Sequence, residues 1–426
     1  MAPPARLVFV MLLALGVRLG LALVPFDYSG PDSVTYLEPA RSLARGEGYL
    51  AADGTPSASR PPGYPAFLAV VFLAFGDGPG GLAAVRGLQA LLGALAVGLV
   101  HEAVRATAPA GARPAAIVAA VTLAVDPVSA GQGPFLLREA LLTFGVAALV
   151  RALTLRPARV RALAVGLTLA GLALTHQLYV LVGPFLALAD LGRAWGRAGP
   201  RAALRRLPAW VLAGVLVAWP VTLWALRNER VTGHRSFTLA QNAVVHRELW
   251  LTVMCPNAWL PSDPATGYQE SAFTQEGHMY ELLGLEGTRR ELLRRAAEAW
   301  REHPLRSLGR TLRINAWYWL ELPGAVRLVE HPRLFVARWG ALPLHWARLV
   351  AAAAGLWFVL RDPRWARLRP LAALVAFFAL APALLYPIPR YLAPACPVLA
   401  ALAGVALATA PRPAWLRGAG AGARAA

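Results

Sequence analysis

Two carboxylates and a handful of arginines stand at the edges of hydrophobic runs, where charged side chains need a reason. Asp32, in "GPDSVTYLEP", follows the first apolar run by about seven residues, and Glu139, in "GPFLLREALLTF", opens another. A carboxylate at such a boundary is costly unless it faces a polar cavity or a partner. Arg60 in "RPPGYP", Arg227 in "WALRN" and Arg390 in "PIPRYLAP" occupy similar boundaries, and His176 lies in "THQLY" between two apolar runs. Arginines beside carboxylates would suit an anionic lipid headgroup such as a phosphate. Each residue also has a plain structural role open to it. Asp32 reads equally as a helix N-cap, Glu139 as a local partner of Arg138, and Asp126 before Pro127 as a span-end cap. The arginines can anchor spans, and a lone histidine is ordinarily structural.

The composition places these residues in a membrane. The chain has 426 residues, of which 57% are hydrophobic and only 15% charged, against about 25% charged in soluble domains. The net charge of +19 comes from arginine alone, since the sequence contains no lysine. A Schiff base or lysine nucleophile is therefore excluded. The basic residues concentrate beside hydrophobic segments, which is a topological pattern and not a nucleic-acid footprint. Two cysteines, Cys255 and Cys396, provide neither a disulfide framework nor a metal motif. No Walker loop, no GxGxxG after a strand, no HExxH and no GxSxG is present, so ATP, nicotinamide and zinc-hydrolase chemistry lack support.

Ten segments read as spans: roughly 6–25, 81–104, 114–130, 136–153, 160–175, 177–192, 207–226, 341–360, 370–388 and 391–409. Four short basic loops, at 105–113, 151–161, 193–206 and 361–369, fall on one side and assign it to the cytoplasm. Parity then demotes two further apolar stretches. "PPGYPAFLAVVFLAF" (61–75) is expected to dip into or lie along the outer leaflet, and "INAWYWLEL" (314–322) to be interfacial or re-entrant. The pair 160–175 and 177–192 looks short, suggesting a shallow hairpin folded at "THQLY".

Residues 26–80 and 227–340 then face outward. In the first, "DSVTYLEPARSLARGEGY" reads as a helix kinked at Pro39 and ended by Gly46. In the second, "TRRELLRRAAEAWREHP" reads as an amphipathic helix, after the polar stretch 261–280. The expected organisation is a transmembrane module (1–226), an outer region (227–340) and C-terminal spans with a short tail (341–426).

The series "PDSVTYLEPARSLARGEGY", "RPPGYPAFLAVVFLAFG", "LAVDPVSAGQGPFLLREALLTF", "GLTLAGLALTHQLYVLVGP", "WALRNERVTG" and "PRYLAPACPVLAALAG" resembles, in order and over nearly the whole chain, the GT-C glycosyltransferases. The similarity is greatest to family 39, which includes protein O-mannosyltransferases and the lipid A aminoarabinose transferase. The resemblance implies an all-α polytopic GT-C-type fold with about ten transmembrane helices and outer-face juxtamembrane helices. It implies a polyprenyl-phosphate-sugar donor and an inverting transfer to a lipid, glycan or protein hydroxyl. Asp32 and Glu139 match the family's acidic pair, and Arg60, Arg227, Arg390 and His176 would contact the donor phosphate. The active site would face the periplasm from the inner membrane. The expected partners are the donor and membrane lipids, with no nucleic acid.

The chain departs from the family at two places. His176-Gln177 stands where Arg or Lys is common, and Ser33 follows Asp32 where a second acidic residue often does. No metal or other cofactor is predicted. A lipid-linked-sugar flippase and a catalytically inactive assembly partner are the alternatives. The flippase would need ionisable residues near mid-membrane, whereas the carboxylates here gather at one boundary.

Overall fold

The computed structural model describes residues 3–24, 31–233, 235–238, 287, 290, 291, 294, 297, 298, 300–322, 332–384 and 389–409. Asp27, Cys255, the stretch 261–280, seven residues of the expected helix 288–304 and the tail arginines lie outside them. The described residues are helical, with one isolated bridge between Leu50 and Pro56 and no sheet. The helices are α1 (Pro3–Ala22), α2 (Pro31–Ala44), α3 (Gly63–Phe75), α4 (Pro79–Arg105), α5 (Pro114–Ala124), α6 (Pro127–Gln132), α7 (Glu139–Ala152) and α8 (Ala158–Thr175). They continue as α9 (Val182–Ala198), α10 (Pro200–Leu204), α11 (Leu207–Thr232), α12 (Pro304–Leu320), α13 (Pro332–Arg361), α14 (Pro370–Leu384) and α15 (Cys396–Thr409). Short 3-10 turns at Gln177–Leu181, Pro363–Leu368 and Pro389–Ala395 link three of the pairs.

Among the described residues, eight helices are long and apolar enough to cross a membrane. The other two expected spans are α7 and α14, of 14 and 15 residues. At 1.5 Å per residue α3, of 13 residues, extends about 20 Å, and α7 and α14 are scarcely longer, all short of the ~30 Å hydrocarbon thickness. The shallow-hairpin expectation is corrected. Helix α8 begins at Ala158 and the segment Gln177–Ala198 has 22 residues, so both are long enough to cross. Their basic ends, which a hydropathy reading trims off, are helical as well.

Helix α15 is the buried axis, packed between α5 and α13. Small residues permit the approach: a Cβ on Gly404 would strike the Ala115 carbonyl, and one on Gly355 the Leu402 carbonyl. Within a bilayer, such close backbone packing replaces the hydrophobic effect as the source of helix association. Helices α1 and α11 instead expose Phe9, Leu12, Val215, Trp219 and Leu223, the surface a lipid would cover. Helix α12 buries Tyr318 but exposes Leu305, Leu308 and Leu312, as an amphipathic helix does.

A charged staple joins the axis to the break between α5 and α6. Arg18 of α1 donates to the Leu123 and Ala124 carbonyls at the end of α5 and to Ser129 Oγ, at 3.1–3.3 Å. Asp126 caps α6 by accepting from the Ser129 N–H at 2.7 Å, the cap expected from sequence, and also pairs with buried Arg348 of α13. Arg348 in turn donates to Cys396 Sγ and His345 Nδ1, which ties α13 to the start of α15. A smaller core of Tyr36, Leu37, Tyr64, Leu68, Phe72 and Leu136 packs α2 and α3 onto the start of α4 and the turn before α7. That second core carries the site.

Candidate active site

Asp32 sits one residue inside α2, after Pro31 at the first helical position. Its carboxylate is not a simple cap. Arg60 Nη2 donates to Oδ1 at 2.8 Å, and Arg390 pairs with Oδ2. Burial raises the Asp32 pKa, but Arg390 and then Arg60 outweigh it and hold it down at about 2. Arg60 is fixed in its turn. Its Nε donates to Thr35 Oγ1 at 3.0 Å, its guanidinium lies 5.1 Å from the Tyr36 ring centroid, and its carbonyl accepts from the Tyr49 hydroxyl. Gly46, at φ +76°, ends α2 in a left-handed conformation that glycine tolerates, turning the chain back toward Arg60.

Glu139 opens α7 and is buried, with 2% side-chain exposure. Its Oε1 lies 3.5 Å from Arg390 Nε, so one guanidinium is flanked by both carboxylates. The local pairing with Arg138 is not formed. Arg138 is itself buried and lies 5.8 Å from the ring centroids of both Tyr36 and Tyr391. Its Nε and Nη1, together with Glu139 Oε2 and Arg390 Nε, are buried with no hydrogen-bond partner among the described residues. Buried polar atoms are ordinarily satisfied, so several orphans in one place mark where a polar ligand would sit. Three guanidiniums face two carboxylates here, which favours an anion.

The support is traceable outward from the site. Tyr36 packs edge-on to Tyr64 at 5.3 Å, and Tyr64 donates to Gln89 Oε1 at 2.7 Å. Gln89 then donates to the Gly133 and Phe135 carbonyls, holding the turn that delivers Arg138 and Glu139. On the other side, the Tyr318 hydroxyl of α12 donates to the Tyr391 carbonyl at 3.0 Å, beside Arg390.

His176 is buried with its ring 5.9 Å from that of Tyr391. Burial, reinforced by Arg138, Arg60 and Arg390, pushes its pKa well below the ordinary value, so the ring is neutral. Nδ1 accepts from the Leu178 N–H, which leaves the proton on Nε2. Arg227 is not brought to the carboxylates. It donates to the carbonyls of Ser57 and, at 3.1 Å, Tyr49, and lies 5.0 Å from the Trp224 ring. It clamps the loop that carries Arg60. Glu38 pairs with Arg41 at 2.6 Å, away from this cluster. In the sequence Arg138 reads only as a neighbour of Glu139. Its position inside an apolar run was the available signal.

No family model and no curated protein matches the chain. Solved structures do resemble it. The archaeal oligosaccharyltransferase AglB from Archaeoglobus fulgidus, in complex with an inhibitory peptide and a dolichol-phosphate, superposes with a TM-score of 0.52 at 14% identity, over 94% of this chain and 49% of its own. ArnT from Cupriavidus metallidurans, bound to undecaprenyl phosphate, gives a TM-score of 0.54 at 17% identity, over 95% of this chain and 61% of its own. The chain thus spans about half to three-fifths of the length of these two proteins. At such identities the likeness is one of fold, and that fold is the GT-C type whose motifs the sequence resembles.

Proposed function

We propose that the chain is a membrane glycosyltransferase that moves one sugar from a polyprenyl-phosphate carrier to a hydroxyl acceptor, with inversion, on the outer face. The observation that carries this reading is the cluster of half-buried Arg60 and Arg390 and buried Arg138 around Asp32 and Glu139, with donors and a carboxylate oxygen that have no partner among the described residues. The solved neighbours were captured with dolichol-phosphate and with undecaprenyl phosphate, which supports a polyprenyl-phosphate ligand.

In this reading the donor phosphate binds Arg138, Arg390 and Arg60, and neutral His176 adds an Nε2–H donor. Recruiting Arg60 and Arg390 to the phosphate loosens their hold on Asp32 and raises its basicity. The acceptor oxygen bonds to the anomeric carbon as the carbon–phosphate-oxygen bond breaks, and the electron pair leaves with the lipid phosphate. The hydroxyl proton ends on Asp32. Transfer late in an oxocarbenium-like transition state suits a base of low pKa, because the hydroxyl is by then strongly acidic. The arginines stabilise the charge growing on the leaving phosphate. Glu139 holds Arg390 through Oε1 and offers Oε2 to a sugar hydroxyl.

No group of three or more His, Cys, Asp or Glu side chains is placed to hold a metal among the described residues. The two carboxylates flank a guanidinium, an arrangement that does not fit a divalent cation.

The deep charges Arg18, Asp126 and Arg348 engage one another's neighbours and backbone carbonyls, which argues for structure and not for a transport path. The test is mass spectrometry of lipid co-purified with the protein, followed by transfer of radiolabel from the identified donor. A polyprenyl-phosphate sugar and an inverted product are expected. Lipid extracts free of any polyprenyl phosphate, with no turnover of added donor, would defeat the proposal.

A further inference from the structure

The end of the bundle opposite Asp32 holds a cleft of about 520 Å³ that the transfer reaction does not use. Helices α7, α8, α9 and α11 each have one end at the Asp32 side and the other at this cleft. Its lining includes seven arginines and one acidic residue, Asp190, over an apolar floor that includes Leu153, Leu186 and Ala194.

Four of these arginines have local duties. Arg206 pairs with Asp190 at 2.5 Å, Arg193 donates to the Arg369 carbonyl, and Arg369 donates to the Val359 carbonyl. Arg367 donates to the Ala106 and Thr154 carbonyls at 2.6 and 2.8 Å, pinning two other loops to the cleft wall. Arg156, Arg161 and Arg197 have no hydrogen-bond or ion-pair partner among the described residues. They arrive from two separate segments, the loop into α8 with its first turn and the end of α9, and are exposed. Burial lowers the pKa of Arg367, and the nearby charges of Arg156, Arg151 and Arg161 lower it further.

Anchoring a topology requires positive charge in a loop, but it does not require arginines of distant segments to converge on one walled cleft. Trp195 beside it is exposed, and Trp210 within it donates its indole N–H to Asp190. Tryptophan at the end of an apolar helix marks headgroup depth. We infer that this cleft binds a phosphate-bearing anion through Arg156, Arg161 and Arg197, and that its level in the membrane makes the headgroup of an anionic phospholipid the occupant. Basic pockets between helix ends on the cytoplasmic side suit such headgroups.

The full-length protein in a neutral detergent is melted with dihexanoyl phosphatidylglycerol, with dihexanoyl phosphatidylcholine and with inorganic phosphate. The wild type is compared with an Arg156→Gln, Arg161→Gln, Arg197→Gln triple variant and with the corresponding three Arg→Lys changes. Phosphatidylglycerol is expected to raise the wild-type melting temperature saturably, and phosphatidylcholine is not. The glutamine variant should lose at least about tenfold in apparent affinity, and the lysine variant should largely keep it. An equal response to inorganic phosphate, lost in the glutamine variant, supports the anion site and assigns it to free phosphate. Equal responses to both lipids, or a glutamine variant that responds like wild type, overturns the assignment. The three arginines are exposed and have no partner among the described residues, so the unliganded melting temperature should stay unchanged and serves as the folding control.

Discussion

Asp32→Asn separates binding from transfer. The change keeps the size of the side chain and removes the charge that Arg60 binds at 2.8 Å and that Arg390 also holds. A positioned general base contributes about 10²–10⁴ in rate, or about 2.7–5.4 kcal/mol in the barrier. Transfer should fall by that factor. Affinity for undecaprenyl phosphate should hold or rise, because two guanidiniums are released to the phosphate while Arg138 is untouched. The assay pairs single-turnover transfer of radiolabelled sugar with a melting titration against undecaprenyl phosphate for both proteins. A loss of transfer below tenfold removes Asp32 as the base. A loss matched by an equal loss of lipid binding makes its role structural.

Arg138→Gln removes a buried guanidinium with two unpartnered nitrogens. With hydrogen bonds to charged groups at about 1.5–3 kcal/mol, undecaprenyl-phosphate affinity should drop about 10- to 100-fold, read by the same titration. Asp126→Ala leaves Arg348 buried without its carboxylate and should destabilise the protein by about 3–5 kcal/mol, seen as a lowered melting temperature in detergent. The folded Asp32 carboxyl has a pKa of about 2 against an ordinary 3.8, so its contribution to stability is present above about pH 3.8 and lost as pH falls through 2. The stability difference between wild type and Asp32→Asn should therefore be flat from pH 7 to 4 and shrink below it, as measured by denaturation at each pH.

Much of the site was legible because membrane topology reduces three dimensions to a side. Asp32, Arg60, Glu139 and Arg390 are far apart in sequence, yet span counting put all four at one boundary. The structure joins the two carboxylates through the Arg390 guanidinium and adds Arg60 through its own contact with Asp32. What topology could not supply was direction. Arg227 reaches the same end of the bundle but turns into the loop carbonyls of Ser57 and Tyr49. Arg138 turns toward Tyr36 and Tyr391 instead of Glu139, because packing of the turn at 133–138 by Gln89 sets its orientation. Helix lengths failed for a similar reason. The ends of α8 and α9 carry arginines that lower hydropathy without ending the helix. Those arginines read in sequence as orientation signals, and only the fold brings them to one cleft.

Arg390 comes 358 residues after Asp32 in the chain. At synthesis rates of about 5–20 residues per second, roughly 20–70 s separate the emergence of the two. During that interval the nascent chain presents Asp32 and Arg60, with Glu139 joining them, but lacks the cation the two carboxylates share. The turn bearing Arg390 is delivered with α15, the helix that fills the axis of the bundle. Completion of the cluster is thereby timed to the insertion of α15, and a chain that has not yet reached that helix holds two carboxylates without the guanidinium they share.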